Sequence, residues 1–213
     1  MRKIFIDLGA NLGRVSTSFW NLMGKDRGFE VYCFEPNPKF KKALASMSSL
    51  KDPKGRAPFH FLDAAAWIHD GEVEFKIDHH PFAGGSTLML NKWKGTFKGS
   101  CKVRSIDVSK WLLETFSAGD LIILKMDVEG AEFQLIPEMH RRGALAFVDI
   151  LIMEIHNPKK FSGMPADAAA VLKVFLSDNF NGKVFFEEGG LQNIQIMELK
   201  EFTDEVSKLD TSS

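Results

Sequence analysis

Two short stretches of this sequence hold the residues best suited to chemistry. "LKMDVEG", residues 124–130, carries Lys125, Asp127 and Glu129, and "IMEIH", residues 152–156, carries Glu154 and His156. Side chains alternate along a strand, so Lys125, Asp127 and Glu129 share one side, and Glu154 aligns with His156. If the two stretches end neighbouring strands, they bring carboxylates and an imidazole together. Such a set can remove a hydroxyl proton, with Asp127 or His156 as general base. Alternatively, Asp127, Glu154 and His156 hold a divalent cation, Mg²⁺ or Mn²⁺, that polarises the hydroxyl. The sequence leaves both designs open. It also leaves open that Lys125 and Glu129 form a structural ion pair, and that His156, before Asn157-Pro158, is a loop residue satisfied by backbone.

A second constellation opens the chain. "KIFIDLGANLG", residues 3–13, runs an apolar strand into Asp7 and then a loop with Gly9, Ala10, Asn11 and Gly13 before a helix. Backbone N–H groups and the helix dipole converge at such a turn, which suits a nucleotide-like ligand. A phosphate-binding P-loop needs four residues between its glycines and a Lys after them, and neither is present. A dinucleotide loop needs glycine where Asn11 stands, and Asp7 would face an anionic pyrophosphate. S-adenosylmethionine has no phosphate and carries a sulfonium and an ammonium group, so an acid at the strand end suits it. The next strand, "VYCFEPNP", ends at Glu35, which can accept from both ribose hydroxyls. NAD enzymes use an acid in the same place, so Glu35 alone does not decide. In "FLDAAAW", Asp63 can hold the adenine amino group while Ala64 and Ala65 leave room for the ring. Each acid also has an ordinary reading as a solvated strand end or helix cap.

These residues need a scaffold. Ile4–Leu8, Val31–Phe34, Leu121–Met126 and Ile150–Ile155 are short apolar runs of the kind that strands buried on both faces show. Helical stretches such as Arg14–Met23 and Pro38–Met47 lie between them, which predicts a parallel, doubly wound sheet in a single α/β domain over residues 1–202. Val73–Ile77 and Cys101–Val108 flank a Gly/Lys-rich excursion too long for an ordinary connection. Its Ser86 and Thr87 can line an entrance. Its Trp93 and Phe97, interleaved with Lys92, Lys94 and Lys98, can stack on a sugar ring and meet a phosphate, or can equally be core and solvated face. His79-His80 reads as part of a polar loop. A late helix in "PADAAAVLKVFLSDNF", a closing hairpin around Gly189-Gly190 and a fraying polar tail over 203–213 complete the expected order.

Composition narrows the function. The 213 residues are 45% hydrophobic, enough for a full core. With 27 basic against 28 acidic residues the charge nearly cancels, which disfavours nucleic acid as the main partner. Two distant cysteines, Cys33 and Cys101, have no ligand spacing and fit a reducing compartment. No apolar run approaches the roughly 18 residues of a membrane span. The expectation is a soluble, cytoplasmic protein.

"FIDLGANLG", "VYCFEPNP", "ILKMDVEGAEFQLI" and "LIMEIH", in that order, resemble the FkbM-type S-adenosylmethionine-dependent methyltransferases, and "GGSTL" and "VRSIDVSKWL" are similar to further blocks found there. The resemblance spans residues 3 to 157. It implies a Rossmann-like, mostly parallel seven-stranded sheet with an antiparallel last strand, and O-methylation of hydroxyls on sugars, a deoxyhexose among them, or on secondary metabolites. The chain opens directly on its first strand, without the usual preceding helices; a truncated chain, a domain of a longer polypeptide or a minimal member all fit. On that reading the site divides into cofactor contacts (Asp7, Gly9, Ala10, Asn11, Gly13, Glu35, Asp63, Ala64), catalytic groups (Asp127, Glu154, His156, Lys125) and substrate contacts (Ser86, Thr87, Trp93, Glu129). An RNA ribose 2′-O-methyltransferase would share the fold but normally needs a basic channel. A nucleobase N-methyltransferase would want a Pro-Pro-aromatic turn where "MDVEGAE" stands. A non-catalytic cofactor-binding subunit is the alternative from another class. The oligomeric state is not legible.

Overall fold

The computed structural model of the chain describes residues 1–52, 54–80, 84–92, 97–187 and 193–211. Its strands are β1 (Lys3–Leu8), β2 (Glu30–Phe34), β3 (Phe59–Leu62), β4 (Ala65–Trp67), β5 (Gly71–Asp78), β6 (Phe97–Asp107), β7 (Leu121–Met126), β8 (Ile150–Met153) and β9 (Lys183–Phe186). The helices are α1 (Arg14–Phe19), α2 (Lys25–Arg27), α3 (Lys41–Met47), α4 (Val108–Thr115), α5 (Glu132–Arg141), α6 (Ala168–Asn179), α7 (Asn193–Glu198) and α8 (Lys200–Thr211). A π-helical turn over Trp20–Gly24 joins α1 to α2, so the helix expected over Arg14–Met23 runs on to Arg27.

Six strands form the main sheet in the order β3-β2-β1-β7-β8-β9, with every pairing parallel. This is the Rossmann-like strand order, and it reverses between β1 and β7. A crevice opens outside the carboxyl ends of the strands at such a reversal, which brings the loop after β1 beside the loop after β7. Both faces of the sheet are covered. Ile4, Ile6 and Leu8 pack with Leu135 and Met139 on one side, while Phe5 and Ile123 pack with Phe19 and Phe202 on the other. Phe5 and Phe19 stack with ring centroids 4.0 Å apart. A smaller mixed sheet, β4-β6-β5, stands over the crevice, with β4 parallel and β5 antiparallel to β6. Asp107 ends β6 and caps α4, its side chain accepting from the Lys110 N–H at 3.0 Å.

The end of the chain departs from the expectation. Gly189 and Gly190 lie outside the described residues, but the segment expected as the returning, antiparallel seventh strand is helix α7, with Ile196 and Met197 buried. The sheet therefore has six strands among the described residues. The supposed polar tail is α8: Phe202 and Val206 are fully buried, and Lys3 pairs with Asp210 at 2.5 Å. Leu199, Phe202, Val206 and Leu209 recur every three or four residues, so one helical stripe supplies the apolar face that the polar composition hides. No helix among the described residues is long and apolar enough to cross a membrane. Cys33 is buried and Cys101 half-buried, both as thiols.

Candidate functional site

The loop after β1 is shaped by contact with the loop after β7. Gly9 adopts φ +84°, and a Cβ there would lie 2.0 Å from the Asp127 carbonyl oxygen. Only glycine allows the two loops to approach this closely. Gly9 and Ala10 donate their N–H groups to the Phe34 carbonyl, and Asn11, at φ +52°, donates its own to Glu35 Oε2 at 2.8 Å. The Asn37 N–H meets the other oxygen, Oε1, also at 2.8 Å. Glu35 is thus held rigidly at the end of β2 while only 6% exposed. Burial pushes its carboxyl up to about 7, against the two N–H groups, which favour the anion.

Glu35 lines a cleft with about 630 Å³ of empty space, open solvent at its mouth included. Gly9 and Asn11, the apolar Phe34, Ala65 and Ala66, and the acidic Asp127 and Glu129 line it with Glu35, Asp127 lying directly against Gly9. Ser86 also faces it, its Oγ accepting from the Asp78 N–H at 3.0 Å. The described lining includes three carboxylates and no basic side chain. That donor set suits an adenosine-like ligand that brings positive charge, and opposes one that brings a pyrophosphate.

The expected site residues divide. Asp7 is not on the cleft: it is fully buried beneath the loop, with Oδ1 3.0 Å from Lys125 Nζ and Oδ2 accepting from Ser16 Oγ at 2.6 Å. The acids that face the cleft are therefore not Asp7 but Glu35, Asp127 and Glu129. Lys125 is buried behind it, donating to the Gly9 carbonyl at 3.1 Å and lying 3.6 Å from Asp127 Oδ2. Burial opposes its charge, but Asp7 and Asp127 outweigh that and raise its pKa. Lys125 positions the two loops rather than pairing with Glu129. Ala10 and Gly13 turn away towards the core and α3, where a Cβ on Gly13 would meet Met47 and Leu44. Asp63 lies outside the cleft in an ion pair with Lys41 at 2.5 Å, and Ala64 is buried behind Ala65 and Ala66, which do face the cleft. Thr87 is buried and structural, donating to the Glu129 carbonyl at 2.7 Å. Trp93, Lys94 and the side chain of Lys98 lie outside the described residues. Lys92 is no solvated cation: it is 3% exposed and donates to Gly85 O and to Glu129 Oε2, the latter at 2.5 Å.

The ends of β7 and β8 do converge. His156, 2% exposed, presents Nε2 to Glu129 Oε2 at 3.3 Å, Glu154 Oε1 at 3.5 Å and Asp127 Oδ1 at 3.8 Å. Its other nitrogen, Nδ1, meets Glu132 Oε1 at 3.1 Å, and that oxygen also accepts the His156 backbone N–H at 2.9 Å. Glu132 was not legible as a site residue, although it stands in the same "DVEGAE" block. It sits three residues past Glu129 on the first turn of α5, fully buried, and also accepts from the Gly130 N–H. Burial opposes ionisation of Glu129, but His156 and then Lys92 outweigh it and bring its pKa down to about 2. Burial, and then the Asp127 charge, push Glu154 up to about 8.

A family model described as the methyltransferase FkbM domain matches residues 7–185. No curated protein matches the chain. Among solved structures, a methyltransferase FkbM from Methylobacillus flagellatus KT is similar, with 17% identity over 66% of this chain and a TM-score of 0.40. The aligned part is 30% of that protein's length.

Proposed function

We propose, from the premise that the chain belongs to the FkbM methyltransferase family, that it methylates a hydroxyl of a sugar or glycan, with S-adenosylmethionine as donor. The observation that carries this reading is one cleft lined by Glu35, Asp127 and Glu129 together, with no basic side chain in its described lining. Glu35, fixed by two backbone N–H groups, would accept from the ribose hydroxyls, and Ala65 and Ala66 would leave room for the adenine. Bound there, S-adenosylmethionine supplies an electrophilic methyl group on a sulfonium. Asp127 and Glu129 would hydrogen-bond acceptor hydroxyls and orient one of them. The donor would supply the methyl group to that oxygen and leave as a neutral thioether, and Asp127, which lines the cleft, would accept the hydroxyl proton. Lys125, buried between Asp7 and Asp127, keeps that carboxylate in position.

Asp127→Asn tests the division of labour. The variant should bind S-adenosylmethionine as the wild type does while methyl transfer falls by about 10²-fold or more. Full turnover in Asp127→Asn would remove Asp127 from the reaction.

A further inference from the structure

One buried polar atom stands out in the cluster beyond the cleft. His156 Nε2 is shielded from solvent and makes no hydrogen bond of acceptable geometry among the described residues, although three carboxylates surround it. A buried polar nitrogen without an aligned acceptor is costly, and among the described residues Nε2 has only the charge attraction of the carboxylates, Glu129 nearest at 3.3 Å. Glu129 and Glu154 lie at 3.3 and 3.5 Å but out of line, and Asp127 at 3.8 Å lies beyond hydrogen-bond reach. This is the arrangement expected when a nitrogen and its neighbours converge on a point between them rather than on each other.

We propose that His156 Nε2, Asp127 and Glu129 form a divalent cation site at the acceptor end of the cleft. One ligand atom from each of the three lies within 4.8 Å of the others. Atoms bound at about 2.1 Å to one octahedral ion lie about 3 to 4 Å apart, so the observed 3.3 and 3.8 Å from Nε2 need only small adjustment. The surrounding contacts are those of a supported ligand set. Glu132 accepts from His156 at Nδ1 and so directs Nε2 at the cluster, as carboxylates do behind metal-bound histidines. Glu129 is held at φ +52° with Thr87 on its carbonyl and Lys92 on its carboxylate. Two carboxylate oxygens from residues that line the cleft and one imidazole buried beside them suit Mn²⁺ or Mg²⁺. The set differs from Asp127, Glu154 and His156: Glu129, nearer to Nε2, takes the place of Glu154. Asp127 and Glu129 also line the cleft, so an ion there would polarise an acceptor hydroxyl.

The chemical use of the ion rests on the methyltransferase reading, but its binding does not. Mn²⁺ titrated into the full chain without donor or acceptor, and followed by electron paramagnetic resonance, should report one bound ion per chain, with a pulsed-resonance coupling to an imidazole nitrogen. Glu129→Gln and Asp127→Asn should each weaken binding at least tenfold with unchanged circular dichroism, while Glu154→Gln keeps it. Absence of bound Mn²⁺, absence of the nitrogen coupling, or a loss in Glu154→Gln equal to that in Glu129→Gln would each overturn the site. Methyl transfer unaffected by a chelator, with Mn²⁺ bound as described, would instead leave the site standing and remove its catalytic use.

Discussion

At the scale of single residues, Glu35 is the sharpest probe of the cleft. A carboxylate that accepts from two hydroxyls contributes roughly 1.5 to 3 kcal/mol, so Glu35→Ala should weaken S-adenosylmethionine binding tenfold or more in calorimetry. Unchanged affinity would dissociate Glu35 from the ligand. The group also sets a pH dependence. Its carboxyl is pushed from 4.5 up to about 7 by burial, so it favours the folded, ligand-free chain when protonated. That contribution is full below about pH 4.5 and lost as pH rises through about 7. Ligand hydroxyls prefer the carboxylate, so affinity should rise between about pH 6 and about pH 8 in the wild type and stay level in Glu35→Gln. Affinity that falls over this range would contradict the assignment. Glu35 was legible as a cleft residue because it ends the second strand of such a sheet, where the carboxyl ends face the crevice. Asp7 was legible as a special acid but not in its role, because Lys125, 118 positions away, neutralises it only in the folded chain.

At the scale of elements, the glycine after β1 and the last helix make opposite demands. Gly9→Ala would place a Cβ against the Asp127 carbonyl at φ +84°, so the two loops must separate. Cofactor binding and turnover should both fall, the latter by about 10²-fold, as misplacement of catalytic groups by about 1 Å does. A fully active Gly9→Ala would show that the loops do not have to touch. Helix α8 is tested through Phe202, fully buried beside Phe185 with ring centroids 5.5 Å apart. Phe202→Ala should destabilise the fold by about 3 to 5 kcal/mol in denaturant unfolding, whereas a fraying tail would tolerate it. The central strands were readable in the sequence because each is a short, mainly apolar run, broken by Lys3 and Asp7 in β1 and Lys125 in β7, and β7 is buried at every position. The end of the chain was not, because a narrow stripe of Leu199, Phe202, Val206 and Leu209 is diluted by charged residues on the other faces. The excursion after β5 was read as functional from its length. Its described part lines the cleft through Ser86 and also fixes Glu129 through Thr87 and Lys92, a contact across the fold that no local pattern records.

At the scale of the whole molecule, the strand order turns two distant sequence blocks into one site. The reversal between β1 and β7 sets the glycine loop against "MDVEG", and the pairing of β7 with β8 brings His156 to the same end of the sheet. The glycine loop, the end of β2 and the end of β7 therefore share a cleft whose described lining is acidic rather than basic. This charge favours a neutral, hydroxyl-rich acceptor over a polyanion, which would need neutralising cations. The most direct measurement incubates the full chain with methyl-labelled S-adenosylmethionine and a panel of neutral oligosaccharides, deoxyhexose-containing ones included, beside RNA and small phenols. The account predicts label and one methyl group's added mass on an oligosaccharide hydroxyl, and loss of both in Asp127→Asn. Label transferred only to RNA or to phenols, or binding of S-adenosylmethionine with no transfer to any hydroxyl, would contradict it.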